Sequence, residues 1–289
     1  MIVNDVPAYL GPTKTLVEKF KKLTFFLSGA ARLADSPWDA ITIGYLLFRW
    51  RLVDNMGGLR FLLPRVRRVR VRFHNRSFDL TAPDDLSFAH VFFEVFLCEV
   101  YRPEPDLAPR VILDVGAQFG LASVYFAVLF PDARIYSFEP TSFSFAFMKK
   151  NTAAFQNVFP FFLGLFSAAG HQKIFLNKRR GENSMLGEGG QHEEIQTETL
   201  DGFLTTHNIA RVDLMKIDVE GAEEAILGAS RRLDDIGYIM GELHYGVIDR
   251  TAFETLLGRY FDYVIENEEA ACATFKGRNR SRLESGIRP

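Results

Sequence analysis

The sequence contains little cysteine: Cys98 and Cys272 are its two examples in 289 residues. Neither belongs to a CxxC pair, and neither has a histidine nearby at the spacing of metal ligands. Isolated cysteines in apolar surroundings are typical of small buried side chains, and they argue against a disulfide framework or a zinc site. Because such usage fits a reducing compartment, we predict a cytoplasmic protein.

Long hydrophobic runs and an excess of one charge are also lacking. The longest uncharged apolar runs, residues 23–31 and 40–48, are far shorter than the roughly 20 residues of a transmembrane helix. The first residues lack the basic and then apolar pattern of a signal peptide. The formal net charge is −2 at pH 7, so that no overall field favours nucleic acid. We therefore predict no transmembrane segment and no nucleic-acid partner.

Apolar residues at helical spacing dominate the first 64 residues. They recur over residues 15–27 and 38–53, and Gly57-Gly58 ends the second run. We predict that residues 1–64 form an N-terminal helical extension. Two roles fit it equally well: helices that cap an active site, or an extension that either stabilises the domain or joins copies of the chain in a homo-oligomer.

An arginine-rich stretch follows at residues 66–79, where valine and phenylalanine alternate with arginine. This alternation predicts a β-hairpin with one solvated face. The six arginines between Arg65 and Arg76 could meet an acidic substrate, but a charged row of this kind is more often a solvated strand face. A helix at residues 87–101 and a linker at residues 102–105 are predicted next.

Apolar strands and helices alternate from Arg110 onward. The predicted strands are residues 111–115, 134–138, 158–163, 213–217 and 238–243, the predicted helices are 121–130, 142–155 and 220–227, and a closing hairpin spans 262–266 and 271–275. This pattern predicts an α/β fold with a doubly wound, seven-stranded, mostly parallel sheet. The predicted domain covers residues 65–277, with the hairpin and helix of residues 65–105 leading it, and residues 278–289 form a flexible tail.

The segment Asp114-Val115-Gly116-Ala117-Gln118-Phe119-Gly120 follows the first of these strands and opens a helix. In doubly wound sheets, ligands bind beyond the carboxyl ends of the strands. Gly116 permits a tight turn and close approach of a ligand, and Gly120 permits close helix contact. A dinucleotide fingerprint would need glycine at positions 118 and 121, where Gln118 and Leu121 stand. The strand-end Asp114 suits a ligand with a cationic amino-acid end.

Two further blocks add acidic side chains at strand ends. Glu139-Pro140 ends the next strand, where Glu139 can accept hydrogen bonds from both hydroxyls of a ribose. The second block is Lys216-Ile217-Asp218-Val219-Glu220-Gly221-Ala222-Glu223. We expect Asp218 to point into the cleft, whereas the helix dipole explains why an acid, Glu223, stands in the first helical turn. The strand that follows this block ends in Glu242-Leu243-His244, which places Glu242 and His244 on one side. A histidine there can accept a proton near neutral pH or serve as hydrogen-bonded structure.

Taken together, ILDVGAQFG, IYSFEP, TLDGFL, MKIDVEGAEEAILGA and GELH resemble the FkbM family of methyltransferases, over about residues 68–267. The resemblance implies a Rossmann-like class I methyltransferase fold, S-adenosyl-L-methionine as the methyl donor, and transfer to an oxygen of a small molecule or sugar. It further implies that the donor is bound by Asp114, Gly116, Ala117, Gln118, Gly120, Glu139, Pro140, Phe166, Ser167 and Asp218. Asp218 and Glu220 would lie beside the transferred methyl group, and the loop at Asn183-Ser184-Met185 would face the acceptor.

The candidate catalytic residues are His244 as the leading base, Asp218 as the second, and Glu220 beside them. Asp218, Glu242 and His244 could converge on a divalent ion, but their spacing matches no metal motif, so that metal-free catalysis is favoured. An NAD-dependent oxidoreductase on the same fold is a competing interpretation, which the broken glycine pattern argues against. A non-catalytic adenosyl-binding scaffold is another, because fold and cofactor do not fix function.

Overall fold

A computed structural model describes residues 16–56, 64–83, 86–176, 191–245, 248–268 and 272–281. Gly57-Gly58 and the loop at Asn183-Ser184-Met185 lie outside these residues. The chain divides into two compact units, Met1–Val100 and Tyr101–Pro289. Among the described residues, no helix combines the length and the apolar character that crossing a bilayer requires.

The first unit contains helices and one hairpin. Its elements are α1 (Leu16–Arg32), α2 (Pro37–Met56), the antiparallel strands β1 (Arg68–Phe73) and β2 (Arg76–Thr81), and α3 (Leu86–Phe92), which continues as a π-helical segment, Phe93–Cys98. The predicted hairpin and the helices predicted within residues 16–56 are therefore confirmed, while residues 1–15 and 57–63 of the predicted extension lie outside the described residues. The arginines of β1 point outward and form exposed ion pairs, Arg68 with Asp79 and Arg70 with Asp35. These pairs support the interpretation of a solvated strand face.

Aromatic packing joins the hairpin and α3 to the helices before them. Phe93 lies within 6.1 Å of Phe25 and 5.6 Å of Trp50 between ring centroids, and Phe96 packs 5.6 Å from Phe73. The contacts thus group residues up to 100 into one unit, whereas the predicted domain boundary placed the hairpin and helix with the residues that follow. Sequence periodicity identifies such elements but does not show which neighbours bury their apolar faces.

The second unit is built on a seven-stranded sheet. Its strands are β3 (Val111–Val115), β4 (Arg134–Phe138), β5 (Val158–Phe161), β9 (Val212–Ile217), β10 (Ile236–His244), β11 (Phe261–Glu266) and β12 (Cys272–Asn279). They lie in the order β11-β12-β10-β9-β3-β4-β5. Neighbours are parallel except at β12, which is antiparallel to both β10 and β11. The predicted seven-stranded, mostly parallel sheet is confirmed.

Helices and a smaller sheet complete this unit. The helices are α4 (Leu121–Leu129), α5 (Ser142–Thr152), α6 (Leu200–Thr206), α7 (Glu223–Ala229) and α8 (Arg250–Tyr260), and a three-stranded sheet has the order β6-β8-β7, with β6 at Gly164–Leu165, β7 at Gly170–Phe175 and β8 at His192–Glu198. The small sheet and the helices α6 and α8 are absent from the sequence prediction. Helix α7 begins three residues later than predicted, because Glu220 and Gly221 adopt positive φ angles.

The last strand extends beyond the predicted domain edge at residue 277. β12 continues to Asn279, which is buried, and its side-chain amide donates hydrogen bonds to the carbonyl oxygens of Leu233 and Ile236 at 3.0 and 2.8 Å. Residues 278 and 279 therefore belong to the sheet rather than to the predicted tail. Residues 282–289 lie outside the described part of the chain.

The strand order determines where a ligand can bind. β4 and β5 lie on one side of β3, while β9 and β10 lie on the other, so that the direction of chain progression reverses between β3 and β9. Doubly wound folds bind ligands at this switch point, beyond the carboxyl ends of the strands. The residues at and just beyond the carboxyl ends of β3, β4, β9 and β10 are those singled out in the sequence.

Candidate active site

The turn after β3 depends on Gly116. Its φ is +79°, and a Cβ at this position would lie 1.8 Å from the carbonyl oxygen of Asp218. The backbone N–H groups of Gly116 and Ala117 donate to the Phe138 carbonyl at 3.2 and 2.8 Å, which fixes the turn against β4. Any side chain here would separate the ends of β3 and β9. Gly116 thus provides the close approach that the sequence predicts.

Gln118 and Gly120 continue the same turn with φ angles of +50° and +81°. A Cβ on Gly120 would lie 3.0 Å from Met148, so that this glycine permits α4 and α5 to pack closely. The side-chain oxygen of Gln118, Oε1, is buried and has no hydrogen-bond partner among the described residues. A buried acceptor of this kind, at the carboxyl edge of the sheet, can accept a hydrogen bond from a ligand.

Glu139 is connected directly to this turn. Its Oε2 accepts a hydrogen bond from the Gln118 backbone N–H at 3.0 Å, and its Oε1 accepts from the backbone N–H and the hydroxyl of Thr141. Burial raises the pKa of Glu139 to about 7, against the hydrogen bonds from Thr141 and Gln118, which lower it. Because a carboxylate oxygen can accept more than one hydrogen bond, Oε2 retains capacity for a ligand hydroxyl.

A buried ion pair lies beneath the turn. Lys216 Nζ is 3.3 Å from Asp114 Oδ1 and donates to the Gly116 carbonyl at 2.7 Å, and both side chains are almost fully buried. Asp114 Oδ2 accepts from the Ser123 hydroxyl at 2.6 Å. Burial by itself lowers the pKa of Lys216, but the charges of Asp114 and Asp218 raise it above its ordinary value. Asp114 therefore holds Lys216 and the turn, and its predicted contact with the donor stays a prediction.

Asp218 directly follows β9. Its side chain is partly exposed, which agrees with the predicted orientation toward the cleft. Its Oδ2 accepts a hydrogen bond from the Tyr101 hydroxyl at 2.9 Å and lies 3.6 Å from Lys216 Nζ. Its backbone N–H donates to the Val115 carbonyl at 3.1 Å, which ties the end of β9 to β3. Tyr101 and Lys216 thus hold one carboxylate oxygen.

His244 stands among four carboxylates. Its Nδ1 lies 3.1 Å from Glu223 Oε1, while Nε2 lies 3.3 Å from Glu220, 3.8 Å from Glu242 and 4.0 Å from Asp218. Burial alone lowers the pKa of His244, but the hydrogen bond with Glu223 and the charges of Asp218 and Glu220 raise it to about 10. The imidazole therefore carries a proton at neutral pH. A protonated ring does not suit the predicted role of leading base.

Residues 114–267 match the sequence profile of the family described as the Methyltransferase FkbM domain. That match includes the turn after β3, Glu139, Asp218 and His244. The chain belongs to the FkbM methyltransferase family. The resemblance seen in the sequence motifs is thereby confirmed, together with the Rossmann-like fold class.

Relatives of this FkbM domain include two fungal proteins. Methyltransferase 1 of Beauveria bassiana (strain ARSEF 2860) is 26% identical over 195 residues, which cover 59% of this chain and 73% of that protein. Methyltransferase sdnD of Sordaria araneosa is 28% identical over 172 residues, or 47% of this chain and 66% of that protein. The crystal structure of methyltransferase FkbM from Methylobacillus flagellatus KT covers 90% of this chain and 60% of that chain, at 12% identity and a TM-score of 0.45.

The FkbM domain brings most of the predicted site residues to one edge of the sheet. Gly116, Gln118 and Glu139 are joined by the hydrogen bonds described above, and Asp218, Glu220 and His244 form the second group. Phe166 and Ser167 follow β6, where a Cβ on Gly164 would lie 3.3 Å from Pro140, so that this segment runs beside the end of β4. Phe166 is half-buried, and Ser167 is exposed.

Two contributing residues were not identified from the sequence. Glu223 was attributed to the helix dipole, yet it is fully buried and contacts both His244 and the backbone of Val219. Its spacing from Asp218 in the KIDVEGAE block is a signal that could have been used. Tyr101 lies outside the matched family segment, and no sequence pattern connects it to Asp218.

Proposed function

We propose that this protein transfers a methyl group from S-adenosyl-L-methionine to a hydroxyl oxygen of a small molecule or sugar, leaving S-adenosyl-L-homocysteine. The main support is the hydrogen bond that the Gln118 backbone N–H donates to Glu139. This bond joins the glycine turn to the carboxylate that we expect to bind the ribose, at the switch point of the sheet. This connection holds the two predicted halves of an adenosyl site in one rigid arrangement, next to the acidic group around His244.

The donor site is built from residues of both neighbouring strand ends. Glu139 would accept hydrogen bonds from the ribose hydroxyls, and Gln118 Oε1 would accept from a donor group of the ligand. Phe166 and Ser167 would border the adenine. The cofactor supplies a methyl group already activated on a sulfonium. The protein therefore needs to align the acceptor and exclude water, and alignment contributes about 7–11 kcal/mol at best.

The acceptor must lose a proton during or after attack on the methyl group. A positioned base adds roughly 10²–10⁴ in rate. Because His244 already carries a proton at neutral pH, we assign the base to Asp218, whose Oδ2 is held by Tyr101 and Lys216. Glu220 and His244 lie beside Asp218 and would orient the acceptor hydroxyl.

Calorimetric titration of the purified chain with S-adenosyl-L-homocysteine tests the donor site. We expect micromolar binding that is lost in Glu139→Ala and retained in Glu194→Ala, an exposed glutamate on β8. NADH serves as the control ligand for the competing oxidoreductase. Absence of binding by the folded chain, or tighter binding of NADH, would contradict the proposal. A screen of hydroxylated acceptors then separates an enzyme from an adenosyl-binding scaffold, which would methylate none of them.

A further inference from the structure

One group of side chains carries a chemistry that methyl transfer does not require. Asp218, Glu223 and His244 each offer a ligand atom, and these three atoms lie within 4.8 Å of one another. They come from the end of β9, the first turn of α7 and the end of β10. The sequence analysis considered Asp218 and His244 together with Glu242, whereas the structure places Glu223 beside them instead.

The buried carboxylate of Glu223 is a second and independent observation. Glu223 is 0% exposed, and its Oε1 accepts from the Val219 backbone N–H at 3.1 Å and faces His244 Nδ1. Its other oxygen, Oε2, is buried and has no hydrogen-bond partner in the part of the chain that the structure describes. A buried carboxylate oxygen without a partner is costly unless a cation or a donor satisfies it.

The charge around the three ligand atoms is strongly negative. Glu220 and Glu242 place further carboxylate oxygens 3.3 and 3.8 Å from His244 Nε2, so that four carboxylates surround one imidazole. Lys216 lies 3.6 Å from Asp218, and it is already engaged by Asp114. The surplus of negative charge favours a bound cation of charge two or more over a water molecule.

We infer that Asp218, Glu223 and His244 bind one divalent ion of the first transition row, which replaces the proton that His244 carries in the ion-free protein. Mixed imidazole and carboxylate ligands suit Mn²⁺, Fe²⁺ or Zn²⁺ better than Ca²⁺, which takes oxygen ligands alone. Metal–ligand bonds of about 2.1 Å separate opposite ligands by about 4.2 Å, so that the widest pair needs to close by roughly half an ångström. The side chain of Asp218 is partly exposed and can make this movement. Because the protein supplies three ligands, further coordination positions on the ion remain open.

Such an ion would also act in the reaction, and this role rests on the proposed function. With Asp218 engaged as a ligand, an acceptor hydroxyl bound at an open position would pass its proton to Glu220, whose carboxylate lies 3.3 Å from His244 Nε2. This transfer would be easier because a divalent ion stabilises the resulting alkoxide. The adjacent Glu139 and Gln118 are not ligands. Ion binding and donor binding can therefore be measured separately on the same chain.

The test is titration of the metal-free full-length chain with MnCl₂, followed by calorimetry and by the electron paramagnetic resonance of bound Mn²⁺. We expect a single ion per chain, displaced by Zn²⁺ and insensitive to Ca²⁺. Asp218→Asn and His244→Gln should each weaken binding at least about tenfold. His171→Gln, which alters an exposed histidine on β7, should leave it unchanged. Thermal unfolding without metal verifies that each variant is folded.

The outcomes separate this inference from the proposed function. Absence of stoichiometric Mn²⁺ binding, or binding that both folded variants retain at full strength, overturns the inference even when the chain binds S-adenosyl-L-homocysteine. Binding of Mn²⁺ that both variants lose supports it, including in a chain that fails to bind S-adenosyl-L-homocysteine, in which case the proposed donor is the part that is wrong.

Discussion

At the residue scale, Lys216 and Asp114 form a charge pair that is inaccessible to water. Removing one partner of a buried pair leaves the other charge uncompensated, which costs about 3–5 kcal/mol. We expect Lys216→Met to lower the free energy of unfolding by this amount, as measured by urea denaturation. Lys276→Met breaks a more exposed pair with Glu266 and should cost less than about 1 kcal/mol. Equal losses in the two variants would contradict the role given to burial.

Glu139 gives a second prediction at this scale, because burial raises its pKa from 4.5 to about 7. Below about pH 4.5 the folded and unfolded states both hold the proton. As the pH rises toward 7, the unfolded state releases it first, so that the folded state loses stability. The loss is complete above about pH 7 and amounts to on the order of 3 kcal/mol.

The corresponding measurement is urea unfolding of Glu139→Gln and the natural chain at pH 5 and pH 8. We expect the variant to gain stability relative to the natural chain as the pH increases, whatever its stability at pH 5. Glu194→Gln should keep the pH dependence of the natural chain. A Glu139→Gln difference that is constant with pH would show that the carboxyl ionises normally in the folded protein.

The individual residues show how far the sequence alone reaches. Gly116 and Glu139 are recognisable from the sequence because this fold places a strand-end glycine turn and an acid on the next strand side by side, at the carboxyl edge of the sheet. Glu223 was missed, because an acid in a first helical turn already has an adequate local explanation. The pKa of His244 was also not foreseeable, since it results from carboxylates that three separate elements bring together.

At the element scale, the turn between β3 and α4 depends on the absence of a side chain at Gly116. Gly116→Ala would place a Cβ against the Asp218 carbonyl in a backbone conformation with φ of +79°. We expect a loss of more than about 2 kcal/mol in the free energy of unfolding, together with weaker binding of S-adenosyl-L-homocysteine.

Gly228 in α7 provides the matched control, because a Cβ there would meet nothing within 4 Å. Alanine is the better helix former by about 0.5–1 kcal/mol, so that Gly228→Ala should stabilise the protein slightly. Both variants can be compared by chemical denaturation under one set of conditions. If Gly116→Ala instead raised the free energy of unfolding, the turn would tolerate a side chain, and glycine would not be required at this position.

The predicted elements share strong hydrophobic periodicity, and those that were missed lack it. β3, β4 and β9 are apolar runs buried in the centre of the sheet. β7 is mainly polar and exposed, with a single buried residue, Ile174, so that its sequence carries no clear period of two. Its strand conformation comes from pairing with β8, which is a long-range contact. Local pattern therefore fails where the partner strand defines the element.

At the scale of the whole molecule, α1 and α2 present a large apolar surface. Leu23 and Leu27 on α1 and Trp38, Ile41 and Phe48 on α2 are all more than half exposed. The three α2 positions lie on one helical face. Exposed apolar surface of this extent is typical of an interaction site, which favours the predicted homo-oligomer over a purely stabilising extension.

We therefore expect the chain to form a dimer in solution, as measured by light scattering coupled to size-exclusion chromatography. The double variant Trp38→Ser and Ile41→Ser should be monomeric, because it removes apolar area from the contact. Phe162→Ser removes an exposed aromatic side chain from the second unit and should leave the mass unchanged. A natural chain that elutes as a monomer at all concentrations would contradict the prediction.

The position of β12 in the sheet has a consequence for biosynthesis. It is the last described strand along the chain, yet it lies between β10 and β11 rather than at the edge. Domains are made from the N-terminus onward on the ribosome. Until residue 279 has emerged, β10 remains an unpaired edge, and β11 has no neighbour in the sheet. The nascent FkbM domain can therefore complete its sheet only after β12 has emerged, and until then it offers an open strand to chaperones or to other nascent chains.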